Sequence, residues 1–164
     1  MHISGTAIKY GDDISTDLLY PGRFTYLLLD KEQIAGHAME DLDPGFAGRD
    51  VAGSILVAGW NFGCGSAREQ AVQCVKYKGI AAIVAKSISR IYYRNCINEG
   101  LAPIICPEAA DAIKNGDLIS IDADKGVLTT GGQNYSFAKF PPFVKDIIDC
   151  GRLIASVKRE VSLK

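Results

Sequence analysis

The residues best suited to chemistry form one run, Gly59-Trp60-Asn61-Phe62-Gly63-Cys64-Gly65-Ser66-Ala67-Arg68-Glu69-Gln70, where an apolar strand pattern hands over to a helical one. A strand-to-helix junction aims unsatisfied backbone N–H groups and the positive end of a helix dipole at one spot. Gly63 and Gly65 permit a tight turn and close approach of a ligand, and Arg68 adds a forked cation suited to a carboxylate. The run therefore fits a small anion. It is not a P-loop, because Gly65 is followed by Ser66-Ala67 rather than by Lys and a hydroxyl residue. Nor is it a dinucleotide fingerprint, because Arg68 stands where a third small residue belongs.

Ser66 has two readings. With Glu69 three residues on it spells a capping box, so it can simply open a helix; or it is a reactive hydroxyl. The only histidines, His2 and His37, are distant in sequence, which leaves a Ser-His hydrolase pair poorly supported. Asp12, Asp13 and Asp17 lack the spacing and closing Glu of a calcium loop, and Asp12 and Asp13 read as a solvated turn. Arg90, Tyr92, Tyr93 and Arg94, at helical spacing, read as divided between core and solvated face rather than as a nucleic-acid stacking surface. Trp60 fits either a wall of the site or ordinary core, and Asp122 and Asp124 read as hairpin turn residues.

The elements that position these residues alternate. Residues 3–10 read as a strand, 11–17 as an Asp-rich turn, and 30–40 as a helix opened by an Asp30/Gln33 capping box. Residues 41–53 read as loop, 54–58 as a buried strand, 67–78 as a helix stopped by Gly79, and 80–85 as a strand. A helix over 87–99, a strand over 101–106 and a Pro-started helix over 107–115 follow. Hairpins turn at 124–126 and 131–132, and a short helix spans 142–149. The expected fold class is α/β, a β/α core flanked by hairpin strands, in a single domain over residues 1–164.

Composition narrows the function. Eighteen Lys and Arg against nineteen Asp and Glu give a net charge of −1, with no run of one sign to attract nucleic acid or an acidic membrane. No apolar run approaches the ~20 residues of a membrane span, and the first residues lack a signal-peptide pattern. The five cysteines, Cys64, Cys74, Cys96, Cys106 and Cys150, are odd in number and include no C-x-x-C pair. They read as reduced thiols of a cytoplasmic protein, with no metal site on this chain.

Four ordered stretches resemble the small, or swivel, domain of the aconitase superfamily. Asn61-Phe62-Gly63-Cys64-Gly65-Ser66-Ala67-Arg68-Glu69-Gln70 is similar to its active-site loop, and Gly11-Asp12-Asp13-Ile14-Ser15-Thr16-Asp17 to its N-terminal Asp-rich turn. His37-Ala38-Met39-Glu40-Asp41-Leu42-Asp43-Pro44 is similar to the stretch before its central strand, and the segment from Ala85 through Arg90 to Gly100 to its second helix. The resemblance spans residues 4–158, and the length is similar to free-standing small subunits of the isopropylmalate dehydratase type. It implies a swivelling β/β/α domain that joins a large subunit, heterodimeric or heterotetrameric, carrying a [4Fe–4S] cluster. The reaction implied is dehydration and rehydration of a 2- or 3-hydroxy di- or tricarboxylic acid, within leucine biosynthesis for that type.

By the same resemblance, Ser66 is the alkoxide base, Gly65, Ala67 and Arg68 bind substrate, and Asp17 is the acid of a Thr-Asp pair lining the site. The family commonly has Ser-Ser-Arg-Glu where this chain has Ser66-Ala67-Arg68-Glu69, so Ala67 offers only its N–H. Tyr26-Leu27-Leu28-Leu29 is either one edge of the core or an exposed segment with a task. By resemblance it sets substrate choice, with Leu28 at the position where tricarboxylate enzymes place an Arg. That favours an alkyl-substituted malate, with 2,3-dimethylmalate and homoaconitate as alternatives. Two other classes stand beside this one: a stand-alone small-carboxylate-binding module, and a purely structural partner.

Overall fold

The computed structural model describes residues 1–162. Strands β1 (His2–Lys9), β2 (Ile55–Ala58), β3 (Ala82–Ala85), β4 (Ala102–Ile105), β5 (Leu118–Asp122), β6 (Val127–Thr130) and β7 (Gln133–Ser136) form one sheet in the order β4-β3-β2-β1-β5-β6-β7. β1 to β4 run parallel, and β5 to β7 add antiparallel beyond β1. β2 and β3 are apolar at every position because both faces are covered. Leu56, Ala58, Ile83 and Ala85 enter the core on one face, and Ile55, Val57, Ala82 and Val84 the core on the other.

Helix α3 (Gln70–Tyr77) fills the first face with Ala71, Val72, Cys74 and Val75, joined by Leu19 of α1 (Thr16–Leu19), with the half-buried Ile34 of α2 (Lys31–Gly36) packed against them. Tyr92 and Cys96 of α4 (Arg90–Asn98) complete it. The other face packs on Ala109 and Ala110 of α5 (Pro107–Ala112) and on Val144 and Ile148 of α6 (Pro142–Asp149). The α/β class and the flanking hairpins are as expected from sequence. Asp122 Oδ1 accepts from the N–H groups of Asp124 and Lys125, both at 3.1 Å, the hairpin chemistry read for these aspartates. No helix among the described residues is long and apolar enough to cross a membrane.

Element ends differ in instructive ways. The Asp-rich turn conceals α1, opened by Ser15, whose Oγ accepts from Leu18 N–H at 3.3 Å. The Asp30/Gln33 capping box forms as read, but α2 stops at Gly36 because Met39 takes φ of +57° and turns the chain. α4 starts at Arg90, capped by Ser89 rather than Ser87; Ser87 Oγ is engaged by Asn61 N–H at 2.7 Å. α5 ends at Ala112 rather than at 115, where Lys114 N–H turns to Asp117 instead. A further helix, α7 (Leu153–Ser162), has no buried residue.

The topology dictates where a site can lie. Because β1, β2 and β3 are parallel, the segments leaving their C-terminal ends emerge at one edge of the sheet. These are the Asp-rich turn, the glycine loop and the lead into α4.

Candidate active site

Neighbouring segments hold the glycine loop in place. Asp12 Oδ1 accepts from Trp60 N–H at 2.7 Å, and Asp13 Oδ1 from Asn61 Nδ2 at 2.8 Å. These two carboxylates are thus braces for the loop rather than a merely solvated turn. Gly63 N–H donates to Ile14 O, and Thr16 N–H to Cys64 O, both at 2.7 Å. From the far side Ser89 Oγ donates to Gly63 O at 2.6 Å. Gly63 is required twice over: its φ is +71°, and a Cβ there would lie 2.2 Å from the Tyr92 ring. Gly65, at φ +99°, lies against the Thr16 hydroxyl, 3.1 Å from where its Cβ would be.

Beyond Gly65 the chain stays non-helical until Gln70, so α3 begins three residues later than the sequence pattern suggests. Its N-cap is Glu69, with no side-chain capping bond. The capping-box reading of Ser66 therefore fails. The cause is Arg68, whose Nη2 donates to Asp17 Oδ1 at 2.7 Å and whose Nη1 donates to Tyr20 O at 3.0 Å and Thr25 Oγ1 at 3.1 Å. A charge-assisted set of this kind outweighs one neutral cap.

Two consequences bear on chemistry. The backbone N–H groups of Ser66, Ala67 and Arg68 face no acceptor among the described residues. The Ser66 side chain is exposed, with its Oγ 3.5 Å from Thr16 Oγ1, too long for a strong O–H···O bond. Ser66 is an uncommitted hydroxyl beside uncommitted donors.

Arg68 is the converse. Its side chain is only 9% exposed, whereas its partner Asp17 is 64% exposed. Its Nε is buried without a partner. Three hydrogen bonds at two of its nitrogens hold the guanidinium, and the acidic partner among them is open to solvent.

Gly65, Ser66, Ala67 and Arg68 share a cleft of about 400 Å3 that also includes Thr16, and its opposite wall is α4. Arg90 and Arg94 project there, so three arginines and no acidic residue line it. Neither has an acidic partner among the described residues. Arg90 and Arg94 are absent from the sequence-derived set, their one hint being the four-residue spacing that puts both on one helix face, whereas Thr16 is the threonine of the Thr-Asp pair that the resemblance implies. Tyr92, between them, is buried core, and burial pushes its hydroxyl well up from its ordinary range.

The remaining candidates fall outside the cleft. Asp17 touches it only through Arg68. Tyr26 is 94% exposed and Leu27 and Leu28 are exposed, which removes the core-edge reading for these three, while Leu29 is half-buried. Trp60 is half exposed beneath Lys86, whose Nζ lies 5.8 Å from the ring centroid. Cys74, Cys96 and Cys106 are buried, and burial pushes each thiol up. No group of three His, Cys, Asp or Glu side chains converges among the described residues.

A parallel half-sheet presenting a glycine loop at its C-terminal edge, extended by antiparallel hairpins, is the architecture expected of a small domain of the aconitase type. The Aconitase C-terminal domain family matches residues 31–109. The 3-isopropylmalate dehydratase small subunit of Moorella thermoacetica is 48% identical, the alignment covering 98% of each chain. The 2,3-dimethylmalate dehydratase small subunit of Eubacterium barkeri is 42% identical over 94% of this chain and 95% of that one. The crystal structure of 3-isopropylmalate dehydratase from Methanocaldococcus jannaschii superposes with a TM-score of 0.91 at 40% identity, covering 99% of this chain and 97% of that one. The chain belongs to the 3-isopropylmalate dehydratase small-subunit family of the aconitase superfamily.

Proposed function

We propose that residues 1–164 act as one swivelling domain, the small subunit of a heteromeric, cytoplasmic hydro-lyase that isomerises 3-isopropylmalate. The observation that carries this reading is the uncapped, exposed Ser66 set between free backbone N–H groups and Arg68. The five free thiols suit a reducing compartment. A stand-alone carboxylate-binding module has use for Arg68 but none for an uncommitted serine.

Ser66, as the alkoxide, takes the proton from the substrate carbon and becomes the neutral hydroxyl, while the C–O bond on the adjacent carbon breaks and its electron pair leaves with the departing hydroxide. On rehydration, Ser66 returns a proton to the neighbouring carbon. A serine alkoxide is intrinsically unfavourable; the Ala67 and Arg68 N–H groups, the start of α3 and the Arg68 charge stabilise it. The Gly65 backbone permits close approach of substrate, and Arg68 holds a carboxylate by exchanging its exposed partner, Asp17, at Nη2. Asp17 keeps the guanidinium oriented until substrate arrives. Lewis-acid activation of the departing hydroxyl would come from a [4Fe–4S] cluster held by the large subunit. Leu28 and its neighbours cover the alkyl group.

Substitution of Arg68 by Lys is expected to raise KM for 3-isopropylmalate by about tenfold or more, with a smaller change in kcat. A lysine ammonium cannot keep the Tyr20 and Thr25 contacts made by Nη1 and at the same time present a donor at the Nη2 position. Steady-state kinetics of the two-chain enzyme measure this, and an unchanged KM would remove Arg68 from substrate binding.

A second reading, 2,3-dimethylmalate as substrate, is favoured by the likeness to the Eubacterium barkeri subunit. Co-expression with the large subunit and assay on 3-isopropylmalate, 2,3-dimethylmalate and homoaconitate separates the two. The highest kcat/KM on 3-isopropylmalate supports the proposal, and the highest on either other acid replaces it.

A further inference from the structure

The segment that leads into the exposed loop is also the segment that grips Arg68. All three acceptors of the guanidinium, Asp17 Oδ1, Tyr20 O and Thr25 Oγ1, come from residues 17–25, and Thr25 immediately precedes Tyr26. Thr25 is half-buried, and its Oγ1 is the one neutral side-chain acceptor of the three. The packing there is close: a Cβ at Gly22 would lie 3.2 Å from Asp17 Oδ1 and 3.7 Å from Arg68 Nη1.

The hydroxyl is not what holds this segment to the protein. Thr25 N–H donates to Gly22 O at 3.1 Å, closing the 3-10 turn Gly22–Phe24. Phe24 stacks on His37, ring centroids 3.7 Å apart. Arg23 pairs with Glu40 at 2.6 Å and with Asp41 at 2.9 Å. With the backbone anchored three ways, the hydroxyl of Thr25 is free to serve Arg68 alone.

We propose that Thr25 is a positioning residue: its hydroxyl fixes the Arg68 guanidinium in the plane that receives a substrate carboxylate, and ties that plane to the root of the Tyr26–Leu29 loop. When a carboxylate displaces Asp17 from Nη2, Nη1 stays held by Tyr20 O and Thr25 Oγ1, so the fork does not swing with its former partner. This rests on the assignment of Arg68 as the carboxylate-binding group.

The test is a set of variants in the assembled two-chain enzyme. Thr25→Val keeps the shape and removes the acceptor, and is expected to raise KM for 3-isopropylmalate about tenfold while kcat stays within about twofold. Thr25→Ser restores the hydroxyl and is expected to restore KM to within about twofold. In an Arg68→Lys background Thr25→Val is expected to add less than about twofold, since the hydrogen bond it removes is already lost.

A normal KM in Thr25→Val would overturn the proposal. So would a Thr25→Ser enzyme as impaired as Thr25→Val, or a full Thr25→Val effect on top of Arg68→Lys. Should Thr25→Val fail to assemble, Thr25→Ala measured in the same backgrounds decides by the same criteria. A wild-type complex without turnover on 3-isopropylmalate would instead remove the functional reading on which this rests; normal wild-type turnover with an unaffected variant removes Thr25 alone.

Discussion

Replacing Ser66 with Ala in the assembled enzyme is expected to lower kcat about 10^3- to 10^4-fold and to leave KM within a few-fold of normal. A base acts on the transition state, where the proton is in flight, and contributes little to ground-state binding. The structure makes this substitution unusually clean. Ser66 caps no helix, its side chain is exposed, and its nearest hydroxyl, on Thr16, is 3.5 Å away. Removing Oγ therefore leaves no buried orphan and disturbs no capping bond, so the fold and the affinity for the large subunit should be retained. Pre-steady-state and steady-state turnover, with thermal melting as a control, read the effect. Near-normal kcat in the variant would return Ser66 to being a loop residue with no chemical task.

The second large effect is on substrate choice. Changing Leu28 to Arg is expected to cut kcat/KM on 3-isopropylmalate about 30-fold, the equivalent of losing roughly 2 kcal/mol of apolar burial against the alkyl group. It should raise activity on homoaconitate, whose third carboxylate then meets a cation instead of an aliphatic surface that leaves it unpaired. Leu28 is fully exposed in the free chain, so the substitution removes nothing from the core. The ratio of kcat/KM for the two acids measures the switch. An unchanged ratio, or a wild-type enzyme that already prefers the tricarboxylate, would detach this loop from specificity.

Much of the frame was legible because it rests on burial. β2 and β3 are short, wholly apolar and flanked by turn residues, and a strand covered on both faces has no other way to look. Two spellings of the same local signal show where legibility ends. Asp30 with Gln33 forms its capping box, since nothing else engages either side chain. Ser66 with Glu69 does not, because Arg68 between them is drawn to Asp17, Tyr20 and Thr25, residues more than forty positions away. No window of sequence contains that competition.

The same limit governed the site. The glycine loop, its serine and its arginine could be picked out from residue types and spacing, and the aspartates of the N-terminal turn stood out. That Asp12 and Asp13 brace Trp60 and Asn61 depends on the parallel pairing of β1 with β2. That Arg90 and Arg94 face Ser66 depends on β3 following β2 in the sheet. α7 was missed for a different reason: its apolar residues Leu153, Ile154, Val157 and Val161 are exposed, so no core position marks it out.

The central claim is that this chain supplies the proton-transferring half of a site that another chain completes. Titration of the purified large subunit with this chain, followed by turnover of 3-isopropylmalate, tests it most directly. The account predicts no turnover by either chain alone, activity that rises and saturates at a fixed ratio of the two, and a Ser66→Ala chain that competes for the large subunit without restoring activity. Turnover by this chain alone, or full activity restored by the Ser66→Ala chain, would contradict it.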